Sequence, residues 1–215
     1  MKSEQQAGER SVAQKGRGRQ ARSAACAAEK DRQMKDKVLE GFLNEQYEKG
    51  TDLAGQSDLF DLVPLGGPPA QRYLAHFAVT GMLIANGESE PEAAMRSETG
   101  CTVGIWMPDD YLRRCNPFEI LTWLGPSDWY HPNIKPGPGP GLICIGPIAP
   151  GTSIVELIYR TFEVITYRNV TPVEHNALNR PACAWARRNQ HLFPTDPRPL
   201  KRRALAIQSR DLKGA

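Results

Sequence analysis

Between Arg72 and Gly125 three segments in turn carry strand patterning, and the links joining them are short. "RYLAHFAVTGMLI" (Arg72–Ile84) puts Tyr73, Phe77, Val79 and Leu83 on one face of a period-two pattern. "CTVGIWMP" sets Val103, Ile105 and Met107 on one side, and Pro108 ends it. "FEILTWLG" is read as a third strand after the Asn116–Pro117 break. "NGESEPEAAMRSE", between the first two, reads as an acidic connecting loop. Consecutive strands joined this way predict an antiparallel meander and argue against a parallel sheet with crossover helices.

Helical patterns flank this block. From Ala24 to Lys49 the residues are strong helix formers without proline, and Met34, Val38 and Phe42 recur every fourth position beside Leu39 and Leu43. Gly50 is the predicted stop, with residues 51–70 loop-like and closed by "GGPP" at Gly66–Pro69. "SIVELIYRTFEVITY" gives the clearest helix: Ile154, Leu157, Ile158, Thr161, Phe162 and Ile165 share a face, and Ser153 and Glu156 have capping-box spacing. A further helix is predicted over Arg180–Gln190, with Asn179 as N-cap, Pro181 in the first turn, and Ala182, Trp185 and Ala186 facing the core. The expected class is α+β: a meander sheet flanked by an N-terminal helix, a central helix and C-terminal helices. The expected organisation is a basic, disordered tail over 1–23, a domain over 24–193, and a basic C-terminal tail over 194–215 that begins at "PTDPRP".

Composition narrows the function classes. The chain has 215 residues, 40% of them hydrophobic, and a formal charge of +3, too mild to imply a nucleic-acid or membrane partner. "KGRGRQAR" at Lys15–Arg22 resembles a basic arm for RNA or DNA, but no aromatic residues interleave for stacking. No apolar run approaches the roughly 18 residues of a membrane span, and no signal-peptide core is present, so a cytoplasmic location is expected. The cysteines, Cys26, Cys101, Cys115, Cys144 and Cys183, are odd in number and form no Cys-x-x-Cys pair. Neither a disulfide framework nor a zinc site is expected. "GPGPG" at Gly137–Gly141 is glycine-rich, yet its prolines remove the N–H groups a phosphate cradle needs; a stiff flap beside Cys144 fits better.

Cys144 and the turn before it carry the chemistry. In "LICIG", Ile143 and Ile145 can face the core together, which turns Cys144 outward. It is either a filler of a short apolar strand or an exposed nucleophile, whose thiolate the following helix's N-terminal dipole would favour if aimed at it. His131-Pro132-Asn133 fixes the backbone upstream. Asn133 either closes its own turn or donates its side-chain amide to an oxyanion formed at a thioester. Such a donor is worth roughly 3–4 kcal/mol in the transition state. His131 is read as a structural residue bonded to nearby backbone.

The order of strand meander, "YHPNI", "LICIG", amphipathic helix and "ALNRPACAWARRN" resembles the ubiquitin-conjugating enzyme family, over roughly Met34 to Phe193. "NPF" at Asn116–Phe118 is similar to that family's Tyr-Pro-Phe segment. The link "IKPGPGP" is longer than in eukaryotic members, and "IGPIAPGTS" lacks their tryptophan, so the likeness is greatest to the bacterial branch. The resemblance implies a UBC-like fold, with Cys144 as the thioester nucleophile and Asn133 supporting isopeptide formation. Where the family places an acidic residue to orient the incoming lysine, "VEHNALN" offers Glu174, His175 or Asn176. His175 is the choice for lysine activation because it exchanges a proton near neutrality. The implied partners are a ubiquitin-like modifier, its activating enzyme, a lysine-bearing protein substrate and, in some settings, a ligase. No cofactor is implied, because the activating enzyme consumes the ATP. Two other readings stand beside this one: a catalytically silent binding module of the same fold, and a nucleic-acid-associated protein using its basic tails.

Overall fold

A computed structural model of the chain describes residues 37–84, 95–135 and 139–202. The basic stretch at Lys15–Arg22, Cys26, the first part of the expected N-terminal helix and residues 137–138 of the expected Gly-Pro flap lie outside the described residues. The chain divides into two compact units, Met1–Phe42 and Leu43–Ala215. Of the first, residues 37–42 are described, and they are helical.

In the second unit residues 43–55 form helix α1, so Gly50 does not stop it. Gly50 lies inside the helix because its bare Cα admits a neighbour. A Cβ there would stand 2.6 Å from Leu62 Cδ2 and 3.4 Å from Ile154 Cδ1. Tertiary packing outweighs the propensity cost of about 1 kcal/mol. The stretch read as loop also holds a strand, β1 (Phe60–Pro64), whose alternation is short but clean: Phe60 and Leu62 buried, Asp61 and Val63 exposed.

Six strands form one sheet in the order β1-β2-β3-β4-β6-β5, every pairing antiparallel. The others are β2 (Arg72–Ile84), β3 (Met95–Trp106), β4 (Leu121–Gly125), β5 (Ile134–Lys135) and β6 (Gly141–Ile143). The acidic link is shorter than its composition implies, since Met95 to Glu98 already pair with Ile84 to Gly81. "FEILTWLG" is a strand only from Leu121. Pro117–Ile120 is a helical turn, α2, capped by Asn116, whose Oδ1 accepts from the Phe118 N–H at 3.2 Å. Asn-Pro there is a cap followed by a proline in the first turn, not a strand break.

Register puts the apolar residues on one face. Phe60 lies opposite Phe77, Phe77 opposite Cys101, Tyr73 opposite Ile105, Val103 opposite Trp123, and Ile134 opposite Ile143; all are buried. Helix α3 (Ile154–Ile165) lies against β2, burying Ile154, Leu157, Ile158, Phe162 and Ile165. Each such side chain contributes roughly 1.5–3 kcal/mol on full burial. Ser153 caps α3 through the Glu156 N–H at 3.2 Å, and Gln46 Oε1 of α1 accepts from the Ile154 N–H at 2.9 Å. Helix α4 (Arg180–Arg188) stops two residues short of the expectation, giving way to a 3-10 turn at Gln190–Leu192. It builds a second, smaller core from Tyr130, Ala182, Trp185 and Ala186.

The C-terminal segment is held to the domain as far as it is described. Leu200 is buried, Arg168 donates to the Asp196 carbonyl, and the Arg202 N–H reaches Gln56 O at 2.8 Å. Hydrogen bonding from the Arg198 guanidinium holds the Asp196 carboxyl below its ordinary pKa. Among the described residues no helix is long and apolar enough to cross a membrane.

Candidate active site

The His-Pro-Asn turn is anchored through the residues before it. The far end of β2 gains a short extra ladder: Ile84 N–H donates to Asp128 O at 3.0 Å, Tyr130 N–H donates to Met82 O at 2.7 Å, and Leu83 bridges Trp129. The Trp129 ring lies over Gly81, where a Cβ would fall 2.0 Å from it, and packs on Trp123 at 5.4 Å. Only glycine admits that ring.

His131 is fully buried. Its Nδ1 accepts from the Asn133 N–H at 3.0 Å, which places the ring proton of the neutral imidazole on Nε2. The ring meets Tyr167 edge-on at 4.4 Å, and burial pushes its pKa down to about 3. A neutral, buried imidazole whose acceptor nitrogen is occupied shapes the turn and leaves no free lone pair for base catalysis. Tyr167 holds the same turn from the other side, its hydroxyl donating to the Tyr130 carbonyl. It does so from a left-handed backbone conformation, φ 58°. Such strain costs of order 1–3 kcal/mol and persists only where surrounding contacts impose it.

Asn133 and Cys144 are the next rung of the β5–β6 ladder beyond Ile134 and Ile143. The Cys144 N–H donates to Asn133 O at 2.8 Å. The reciprocal backbone bond is absent, because the Asn133 N–H is turned to His131. Instead Asn133 Nδ2 donates to Cys144 O at 3.0 Å. Its Oδ1 accepts from the Thr171 N–H at 2.8 Å. One buried amide thus ties the cysteine's strand to the loop leaving α3. Ile143 and Ile145 point into the core and Cys144 is partly exposed, as the alternation of "LICIG" predicts. The first amides of α3 are committed elsewhere, Ile154 to Gln46 and Glu156 to Ser153. Those two N–H groups are therefore not offered to the sulfur.

The loop from Thr171 to Asn179 is stitched to the turn twice, by Thr171 on Asn133 and by the Asn179 N–H on Pro132 O at 3.1 Å. Cys183 Sγ donates to Thr171 O at 3.2 Å, and Asn179 Oδ1 caps α4 through the Ala182 N–H at 3.2 Å. Between the stitches the 3-10 turn Glu174–Asn176 is exposed. Glu174 pairs with Arg187 at 3.1 Å, and both are about half exposed, so the bond contributes less than about 1 kcal/mol. His175 is exposed and makes no hydrogen bond or ion pair among the described residues. The structure thus brings together Cys144, Asn133 and His131, and places His175 on the exposed loop stitched to their turn.

Thr171, Tyr167 and Cys183 complete the arrangement, and nothing in the sequence marked them. Asn179 was legible only as a helix cap. Among the described residues no group of three His, Cys, Asp or Glu side chains is gathered to hold a metal ion. Compared with protein-family models, with curated proteins and with solved structures, the chain matches none.

Proposed function

We propose that this chain has a UBC-like fold and acts as a ubiquitin-conjugating-type acyltransferase, carrying a ubiquitin-like modifier as a thioester on Cys144. The observation that carries the reading is a partly exposed cysteine whose own backbone carbonyl takes the side-chain amide of an asparagine on the facing strand. A reactive cysteine needs access, and a tetrahedral oxyanion needs a donor close by. In the transfer step an amine nitrogen attacks the thioester carbonyl. The C–N bond forms, the C–S bond breaks, and Cys144 leaves as thiolate. The attacking amine's surplus proton passes to solvent or a nearby base. Asn133 serves this step by turning Nδ2 from the Cys144 carbonyl toward the developing oxyanion, or by using the second N–H of the same group. The partners in this reading are an activating enzyme, the modifier and a lysine-bearing protein.

One observation favours the silent-module reading instead. Both ends of the Asn133 amide are occupied by backbone groups, as they would be in a purely structural turn. The experiment supplies activating enzyme, modifier and ATP. The expected product is an adduct cleaved by thiol reductant, replaced in Cys144→Ser by a reductant-resistant oxyester. An adduct unchanged in Cys144→Ala moves the chemistry elsewhere, and no adduct with any cognate set leaves the binding module.

A further inference from the structure

The sheet face turned away from α3 carries an apolar band among the described residues. Val63 lies opposite Leu74, Leu74 opposite Gly104, Gly104 opposite Thr122, and Thr122 opposite Leu142, a continuous row over five strands. Leu124 leans over Gly104, 3.4 Å from where a Cβ would stand, and Trp106 lies beside the row under the Arg72 guanidinium at 5.2 Å. Val63, Trp106, Leu124 and Leu142 remain 39%, 38%, 44% and 36% exposed. A contiguous apolar face of this kind marks a contact surface.

At one end of this face is a cleft of about 530 Å³ bordered by Asp58, Asp61, His76, Thr102 and Pro126. The described chain ends at its rim. Arg202 is held there by two hydrogen bonds, its N–H to Gln56 O at 2.8 Å and Nη2 to Gly55 O at 2.9 Å, and by an exposed ion pair of Nη1 with Asp58 Oδ1 at 3.5 Å. Next in sequence comes "RALAIQSRDLKGA", in which Arg203, Arg210 and Lys213 face a single acid, Asp211, and Leu205, Ile207 and Leu212 are apolar.

We propose that residues 203–215 of this chain dock on the outer sheet face, passing the acidic cleft and laying Leu205 and Ile207 on the Val63–Leu124–Leu142 band. Three features point to this occupant. The segment starts at the rim, held by Arg202. Its length suffices: extended, it reaches roughly 40 Å at about 3.3 Å per residue, whereas five strands span about 19 Å at ~4.8 Å spacing. Its charge and its apolar residues complement Asp58, Asp61 and the band. Tethering raises its effective concentration to the millimolar range for a short linker, above that of a free second copy. The inference is independent of the chemistry assigned to Cys144.

The test compares the full chain with one ending at Arg202 and with a full chain carrying Leu205→Asp and Ile207→Asp. Acrylamide quenching of tryptophan fluorescence reads this face selectively. Of the four tryptophans only Trp106 is appreciably exposed, the other three being 2% or less. Docking is expected to shield Trp106, so both variants show stronger quenching than the full chain, and the amide resonances of Leu74, Gly104 and Thr122 shift. Asp58→Asn with Asp61→Asn gives part of the same change. Identical quenching and unshifted resonances overturn the proposal. A difference that appears only as protein concentration rises also overturns it, assigning the face to a second copy.

Discussion

The sheet from β1 to β4 and the hairpin that holds Cys144 are built by different means. β2 and β3 pair along almost their whole length, and their backbone ladder needs no side chain to hold it. β5 and β6 have two and three residues, and side chains extend their short backbone ladder. His131 takes the Asn133 N–H, Asn133 takes Cys144 O and the Thr171 N–H, and Tyr167 takes Tyr130 O. Long strands tolerate loss of one polar side chain. The hairpin concentrates several backbone groups on each one, so single substitutions should be felt there first.

Acid should separate the two regions most sharply. His131 has a folded pKa near 3 against an ordinary 6.5, because burial disfavours the imidazolium. Between those values the unfolded chain binds a proton that the folded chain does not, so stability rises with pH and is lost as pH falls from 6.5 toward 3. One proton gives up to about 1.4 kcal/mol per pH unit. Urea unfolding at stepped pH should show that slope. The slope should survive in His76→Gln, whose histidine sits exposed on the sheet beside Thr102. Its disappearance there would transfer the effect from the turn to the ladder.

The next contrast pits the same two histidines against each other by truncation. His131→Ala leaves the buried Asn133 N–H without its acceptor and opens a cavity. The expected loss is roughly 3 kcal/mol, from 1–3 for the orphaned donor and the remainder from packing. His76→Ala should stay within about 0.5 kcal/mol, as exposed positions do. Equal losses in denaturant melts would erase the distinction drawn between the regions.

How much of this was legible beforehand follows the same division. The alternation of β2, the stripe of α3 and the caps at Ser153 and Asn179 were readable because side-chain type repeats with the element's period. β1 was missed because five residues between a helix and a Gly-Pro turn give too few periods to count. Gly50 was misread because a glycine making room for Leu62 looks the same in sequence as one ending a helix. At the site, the outward turn of Cys144 followed from its two isoleucine neighbours. The role of Thr171 did not, because it contributes a backbone N–H, and backbone groups are alike at every position. The dual engagement of Asn133 was hidden for the same reason.

Asn133 itself separates folding from chemistry. Asn133→Ala leaves Cys144 O and the Thr171 N–H without their partner and should cost about 2 kcal/mol. Asn133→Asp keeps an acceptor for Thr171 while losing the donor. For the proposed transfer reaction, at a temperature where both variants are folded, thioester charging of Cys144 should survive in each, while discharge to free lysine slows by roughly 100-fold or more if the amide meets an oxyanion. Discharge at the parental rate in folded protein would reduce Asn133 to a clasp.

The smallest effect lies on the loop between the two stitches. Glu174 and Arg187 pair in the open, so Glu174→Gln should alter stability by no more than about 0.5 kcal/mol, and added salt should narrow even that. The loop's position does not depend on this ion pair, because the Thr171 and Asn179 amides hold it from both ends. If thermal melts instead show a loss comparable to Asn133→Ala, the loop is held by charge as much as by the turn. The hairpin's dependence on a few buried amides would then extend to its exposed rim. If the melts coincide while discharge to lysine changes with pH differently in Glu174→Gln, the carboxylate bears on the incoming amine and not on the fold.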